Sequence, residues 1–167
     1  MPFFLRKIRK ARWANDKGYE WLGAEDIQAD ALSDLKTENN ELSVWHVEED
    51  ESNLRQIVVA LGANYKKLDT VDYALVDQRV LLTAGIKAVE AAGDTPYENA
   101  NEWHRNLIEL TAEKVIEIAK NMRKERRIAR VWPQDLQRHL TRAIEAGEVK
   151  LSRLEERLQK ELQGRTL

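Results

Sequence analysis

Residues 42–77, LSVWHVEEDESNLRQIVVALGANYKKLDTVDYALVD, decide how this chain folds. Leu42, Val44 and His46 alternate with Ser43, Trp45 and Val47, and a period of two in a β-branched and aromatic run predicts a strand. The acidic run Glu48-Glu49-Asp50-Glu51 follows at once. Ser52 or Asn53 is placed to cap a helix over 53–66, where Leu54, Ile57, Val58, Leu61 and Tyr65 recur at helical spacing. Asp72 to Asp77 is a short apolar run between charged ends and predicts a second strand. Strand, helix and strand make a βαβ unit, with parallel strands and a right-handed crossover as the expectation. Strands in such a unit are covered on both faces, so Val44 and Trp45 are both expected to be buried.

On the N-terminal side, Phe3 to Trp13 suits a helix face or a short basic strand, and a strand is the expectation. Asn15-Asp16-Lys17-Gly18 reads as a turn. Ala31, Leu32 and Leu35 follow Ile27 at a helical interval that Asn39-Asn40 stops. On the C-terminal side, Gln78 to Ala92 reads mainly as helix, interrupted by Gly85. Thr95-Pro96-Tyr97-Glu98 has the form of a capping box with Pro at the first helical position. Ala100, Trp103, Leu107, Leu110, Ile118 and Met122 continue it as one stripe, predicting a single long helix to Ile128. Pro133 disfavours helix at Trp132. A helix over 133–146 then carries Leu136, Leu140 and Ile144, with Gly147 as terminator. Ser152 and Glu155 form a second capping box before Leu154, Leu158 and Leu162.

The fold class expected is α+β or α/β, mostly helical, in a single domain of residues 1–167. A small sheet of two to four strands occupies 1–94 and a helical part occupies 95–167. At 167 residues such a chain buries roughly two-thirds of its unfolded surface, so it needs neither disulfide nor metal to fold. The absence of cysteine excludes disulfides, thiolate zinc, iron–sulfur ligation and thiol catalysis. No apolar run approaches the ~20 residues a bilayer-spanning helix needs, so a cytoplasmic protein without membrane contact is expected.

The net charge of −2 conceals segregation. Residues 1–13 carry +5, residues 14–51 −10, residues 52–119 −3 and residues 120–167 +6. Two basic clusters therefore become candidate contacts for nucleic acid or a protein partner. One is Arg6, Lys7, Arg9, Lys10 and Arg12; the other is Lys120 with Arg123, Lys124, Arg126, Arg127 and Arg130. The pI near 6.0 argues against a dedicated nucleic-acid domain, and basic residues ending a helix also answer its dipole. Charge neutralisation against the acidic stretch 14–51, of this chain or of another copy, is the expectation.

Three further candidates come from spacing. Glu49 and Asp50 after one strand and Asp77 after the next would face each other across a parallel sheet, where carboxylates can hold Mg²⁺ for phosphoryl transfer. His46, His104 and His139 have no partner at the spacing of a helical metal site, and no metal or cofactor is expected. The narrow seam of Leu154, Leu158 and Leu162 suits either internal packing or a partner groove.

The stretches FLRKI with RW, ADALSDLKTENNELSVW and NEWHRNLIELTAEK resemble a set of short bacterial proteins with no assigned function, over residues 3 to 120. The resemblance transfers no site residue and implies an accessory bacterial protein rather than a stand-alone enzyme. The function expected is a non-enzymatic interaction module contacting another protein or a second copy of itself. The alternatives are nucleic-acid binding through the basic clusters and a metal-dependent phosphoryl-transfer enzyme or nuclease at the strand-end acids.

Overall fold

Phe3–Ile8 is a strand, β1, and it takes a central place in the sheet because both of its faces are apolar. The computed structural model describes residues 1–14, 20–23, 26–125 and 127–164; the turn expected over 15–18 lies outside them. The other strands are β2 (Leu42–Val47), β3 (Val71–Asp77), β4 (Lys87–Glu90), β5 (His104–Ile108) and β6 (Ile128–Val131). They form one sheet in the order β4-β5-β2-β1-β3-β6, antiparallel at every pairing. The helices are α1 (Lys10–Trp13), α2 (Leu54–Ala63), α3 (Gln78–Thr83), α4 (Ala112–Glu125), α5 (Pro133–Glu145) and α6 (Glu156–Gln163), with 3-10 turns at Ala29–Leu35, Glu98–Trp103 and Leu151–Arg153. The chain is α+β, and no helix among the described residues is long and apolar enough to cross a membrane.

The strand–helix–strand unit of 42–77 is present with one change. β2 and β3 both run antiparallel to β1, hence parallel to each other, but β1 lies between them and they do not pair. Alternation then sorts side chains to two cores. Leu5, Trp45, Val47, Tyr73 and Leu75 pack with α2, α5 and α6. Phe4, Ile8, Leu42, Val44, Ala74 and Val76 pack with α4 and the 29–35 turn. Covering both faces buries Val44 and Trp45 together, at 2% and 7% exposure. Asn53 does not cap α2 with its side chain. Its amide closes the turn out of β2, accepting the Glu48 N–H at 3.0 Å and donating to the His46 carbonyl at 3.1 Å.

The single long helix from Thr95 does not form. Thr95 is buried at the centre of a turn, its hydroxyl donating to Asn101 Oδ1 at 2.8 Å and accepting the Tyr97 N–H. Residues 104–108 are β5, inserted between β2 and β4, and Glu109 at φ 56° ends it. The capping side chain actually used belongs to Thr111, whose hydroxyl accepts the Lys114 N–H at 3.3 Å and opens α4. Residues 95–167 therefore supply two strands as well as helices, and strands from both halves share the sheet. The reading of 78–92 is also corrected: Gly85, at φ 65°, ends α3, with the Ile86 N–H returning to the Leu81 carbonyl in a Schellman closure, and β4 follows. α5 matches its expected span, and Gly147 terminates it in the same way. The capping box at Ser152 and Glu155 is not made; that segment is a 3-10 turn and α6 begins at Glu156.

Candidate functional site

One end of the sheet gathers the end of β1, the start of β3 and the end of β6, since Ile8 lies opposite Asp72 and Asp72 opposite Arg130. The loop leaving α2 passes over this end. Together they enclose a cleft of about 630 Å³ whose cations are Lys7, Arg9, Lys66, Lys67 and Arg130. The acids in its wall are Asp69 and Asp72. Asp72 is committed: its carboxylate takes Arg130 through both oxygens and the Lys10 N–H at 2.9 Å. The Lys7 ammonium sits 4.2 Å from the centroid of the Tyr65 ring and has no carboxylate within ion-pairing distance among the described residues. Burial, then repulsion from Arg6 and Arg9, lowers its pKa against an opposing pull from Asp69. The Tyr65 hydroxyl donates to the Thr70 carbonyl, and burial with Asp69 and Asp72 nearby pushes its pKa up to about 12. Beside the cleft, Trp132 is 54% exposed, with the Arg130 guanidinium 5.2 Å from its ring.

The two basic clusters are brought together only in part. Lys7 and Arg9 meet Arg130 at the cleft. Arg6 turns into the opposite core face and donates to the carbonyls of Asp34 and Ser43. Arg12 pairs with Asp34 at 2.8 Å, and the same carboxylate accepts the Arg9 N–H and the Trp13 indole. Arg123 donates to the Trp13 carbonyl at 2.9 Å. Arg127 pairs with Glu51 at 3.3 Å at the far end of the sheet and stacks over Phe3. Lys10 and Lys124 are exposed, and Arg126 lies outside the described residues. Asp34 and Glu51 belong to the acidic stretch 14–51, so part of that stretch neutralises Arg12 and Arg127 within this chain.

The strand-end acids do not converge. β1 separates the ends of β2 and β3 by two strand spacings, about 9–10 Å. Glu49 pairs with the N-terminal amine, Asp50 accepts the Ser52 N–H, and Asp77 accepts from the Arg79 backbone and guanidinium. No three His, Asp or Glu side chains among the described residues are grouped to hold a metal ion. Leu154, Leu158 and Leu162 are buried in this chain's own core at 4%, 0% and 6% exposure, which corrects the partner-groove reading of that seam.

Lys66 and Lys67 carry no site reading in the sequence, and Tyr65 reads there only as a residue of a helix face. The signal is the basic pair at the end of the helix expected over 53–66, which reads there as an ordinary helix terminus. Comparison of the chain with protein-family models, with curated proteins and with solved structures gives no match.

Proposed function

We propose that this protein is a non-enzymatic accessory module that docks another protein, and that the cationic cleft receives an acidic segment of that partner. The observation that carries the reading is the Lys7 ammonium, held over the Tyr65 ring beside Arg9, Lys66 and Lys67 with no carboxylate within ion-pairing distance among the described residues. Four cations against Asp69, whose carboxylate accepts the Thr70 N–H at 2.8 Å, attract a carboxylate-rich chain, and opposite charge at a cleft raises association rates as well as specificity. Binding rather than chemistry fits the lining: Tyr65 spends its proton on a carbonyl, and no histidine lines the cleft among the described residues.

A second reading is supported by Trp132. An exposed indole against an arginine, next to lysines, is the pairing that single-stranded nucleic-acid sites use for stacking and backbone contact. The protein reading ranks first because Arg12, Arg127 and Arg130 are already paired inside the chain. Anisotropy with a labelled poly-glutamate peptide and with a labelled oligothymidine, each at two salt concentrations, separates them. Peptide binding that is lost in Lys66→Glu/Lys67→Glu supports docking of an acidic segment. Tighter oligothymidine binding, lost in Trp132→Ala, replaces it with the nucleic-acid reading, and binding of neither overturns both.

A further inference from the structure

A second cavity, of about 200 Å³, lies between α2 and α5 and shares no residue with the cationic cleft. Arg55 comes from the first turn of α2, His139 and Arg142 from one face of α5, and Tyr97 with Glu148 from the flanking turns. Glu148, the acid lining it among the described residues, accepts the Tyr97 hydroxyl at 2.8 Å and leaves the two arginines in excess. Neither Arg55 nor Arg142 has a side-chain hydrogen bond or ion pair with another described residue. His139 Nδ1 is buried and meets no hydrogen-bond partner. Buried polar nitrogens are nearly always satisfied, so an unmet one on a residue that lines the cavity together with two arginines asks for an acceptor.

We propose that this cavity binds a phosphate-class oxyanion, clamped by Arg55 and Arg142 with the His139 imidazole as a third group. Guanidinium groups donate in pairs to such oxygens, and two of them outweigh the Glu148 carboxylate to leave the cavity net positive. The volume is below the roughly 300–1,000 Å³ of drug-sized ligand pockets, so it admits a single phosphate group rather than a nucleotide. Burial, then Arg55, holds the His139 pKa below its ordinary value, with Arg138 and Arg142 adding and Asp135 opposing. An anion placed among these groups reverses that balance and favours the imidazolium. This site does not depend on the docking function proposed for the cleft.

The test is imidazole-resolved NMR of the full chain titrated with inorganic phosphate, against sodium chloride at matched ionic strength, with His46 as internal reference. The expected result is a saturable shift confined to the His139 ring and a rise of its titration midpoint by about one unit or more. Arg55→Ala and Arg142→Ala remove exposed side chains and should fold normally while abolishing the saturable shift. An alkyl monophosphate binding more tightly than inorganic phosphate identifies an esterified ligand, and the reverse order identifies the free ion. A shift that chloride reproduces, that does not saturate, or that survives in both arginine variants overturns the site.

Discussion

Asp72 grips Arg130 with both carboxylate oxygens, accepting Nε at 2.6 Å and Nη2 at 2.8 Å, while the same group holds the Lys10 N–H. This carboxylate joins the end of β1, the start of β3 and the edge strand β6, and so fixes the wall of the cleft. Burial alone would push its pKa up, but Arg130 and the Lys10 amide outweigh that and hold it below the ordinary 3.8.

Asp72→Asn should therefore cost roughly 3 kcal/mol, because it leaves a partly buried guanidinium without its partner. The pH dependence has a defined sign. A carboxyl lowered in the folded state contributes fully above its unfolded pKa, and that contribution is lost as pH falls through the folded value. Urea unfolding across the acid range should show wild type losing stability below about pH 4 more steeply than Asp72→Asn, since Asp77 and other lowered carboxylates still titrate in the variant. Equal pH slopes for the two proteins would show that the pair contributes little.

Thr95 tests the turn that replaced the expected long helix. Thr95→Ala leaves Asn101 Oδ1 short of the hydroxyl donor and the Tyr97 N–H unmet in a buried site, at a cost of about 1–2 kcal/mol. Since Thr95 caps no helix, the native far-UV circular dichroism should be unchanged. A drop in helical signal at constant foldedness would restore the helix.

The misreading of 95–110 has a physical cause. Ala100, Trp103, Leu107 and Leu110 satisfy helical spacing, yet Ala100 and Trp103 pack in one core while Leu107 and Leu110 pack in the other. A helix would have put all four on one face, and only the nonlocal pairing of β5 with β2 separates them. Strand β2 was legible because Val44 and Trp45 mark two buried faces within the segment itself, and α5 because Pro133 and Gly147 punctuate it locally. The cleft was half legible: charge density pointed to Lys7, Arg9 and Arg130, but their meeting with Lys66 and Lys67 depends on how three distant segments end at one edge of the sheet. Neutralisation of Arg12 by Asp34 and Arg127 by Glu51 was expected in kind, while the partners themselves came only from the fold.

Gly62 of α2 lies directly against Leu136 of α5. A Cβ at this position would stand 2.4 Å from Leu136 Cδ1 and 2.9 Å from Cδ2, and Leu136 is fully buried. Gly62→Ala gains about 1 kcal/mol of helix propensity but forces a shift in a packed core, and overpacking costs about 1–3 kcal/mol. A net loss of about 1 kcal/mol or more is expected, a Tm drop of roughly 2–4 °C. Adding Leu136→Val should recover part of it in a double-mutant cycle. Strict additivity would mean that the two side chains do not meet.

The tail helix decides whether the C-terminus is core or arm. Leu158 is fully buried, at 0% exposure, in the core that also takes residues of α2 and β3. Three residues on, the Glu161 carboxylate accepts the Leu68 N–H at 2.8 Å and so ties α6 to the loop that carries Lys66 and Lys67. Leu158→Ala should cost about 3–5 kcal/mol through the lost contacts and the cavity left behind. It should also weaken anionic-peptide binding at the cleft, because the loop loses its anchor. Arg157→Ala, at an exposed position on the same helix, should stay within about 0.5 kcal/mol of wild type. If α6 were an arm that swings out to a partner, Leu158→Ala would leave both stability and cleft binding of the free protein untouched. Chemical denaturation of the two variants beside wild type distinguishes these outcomes directly.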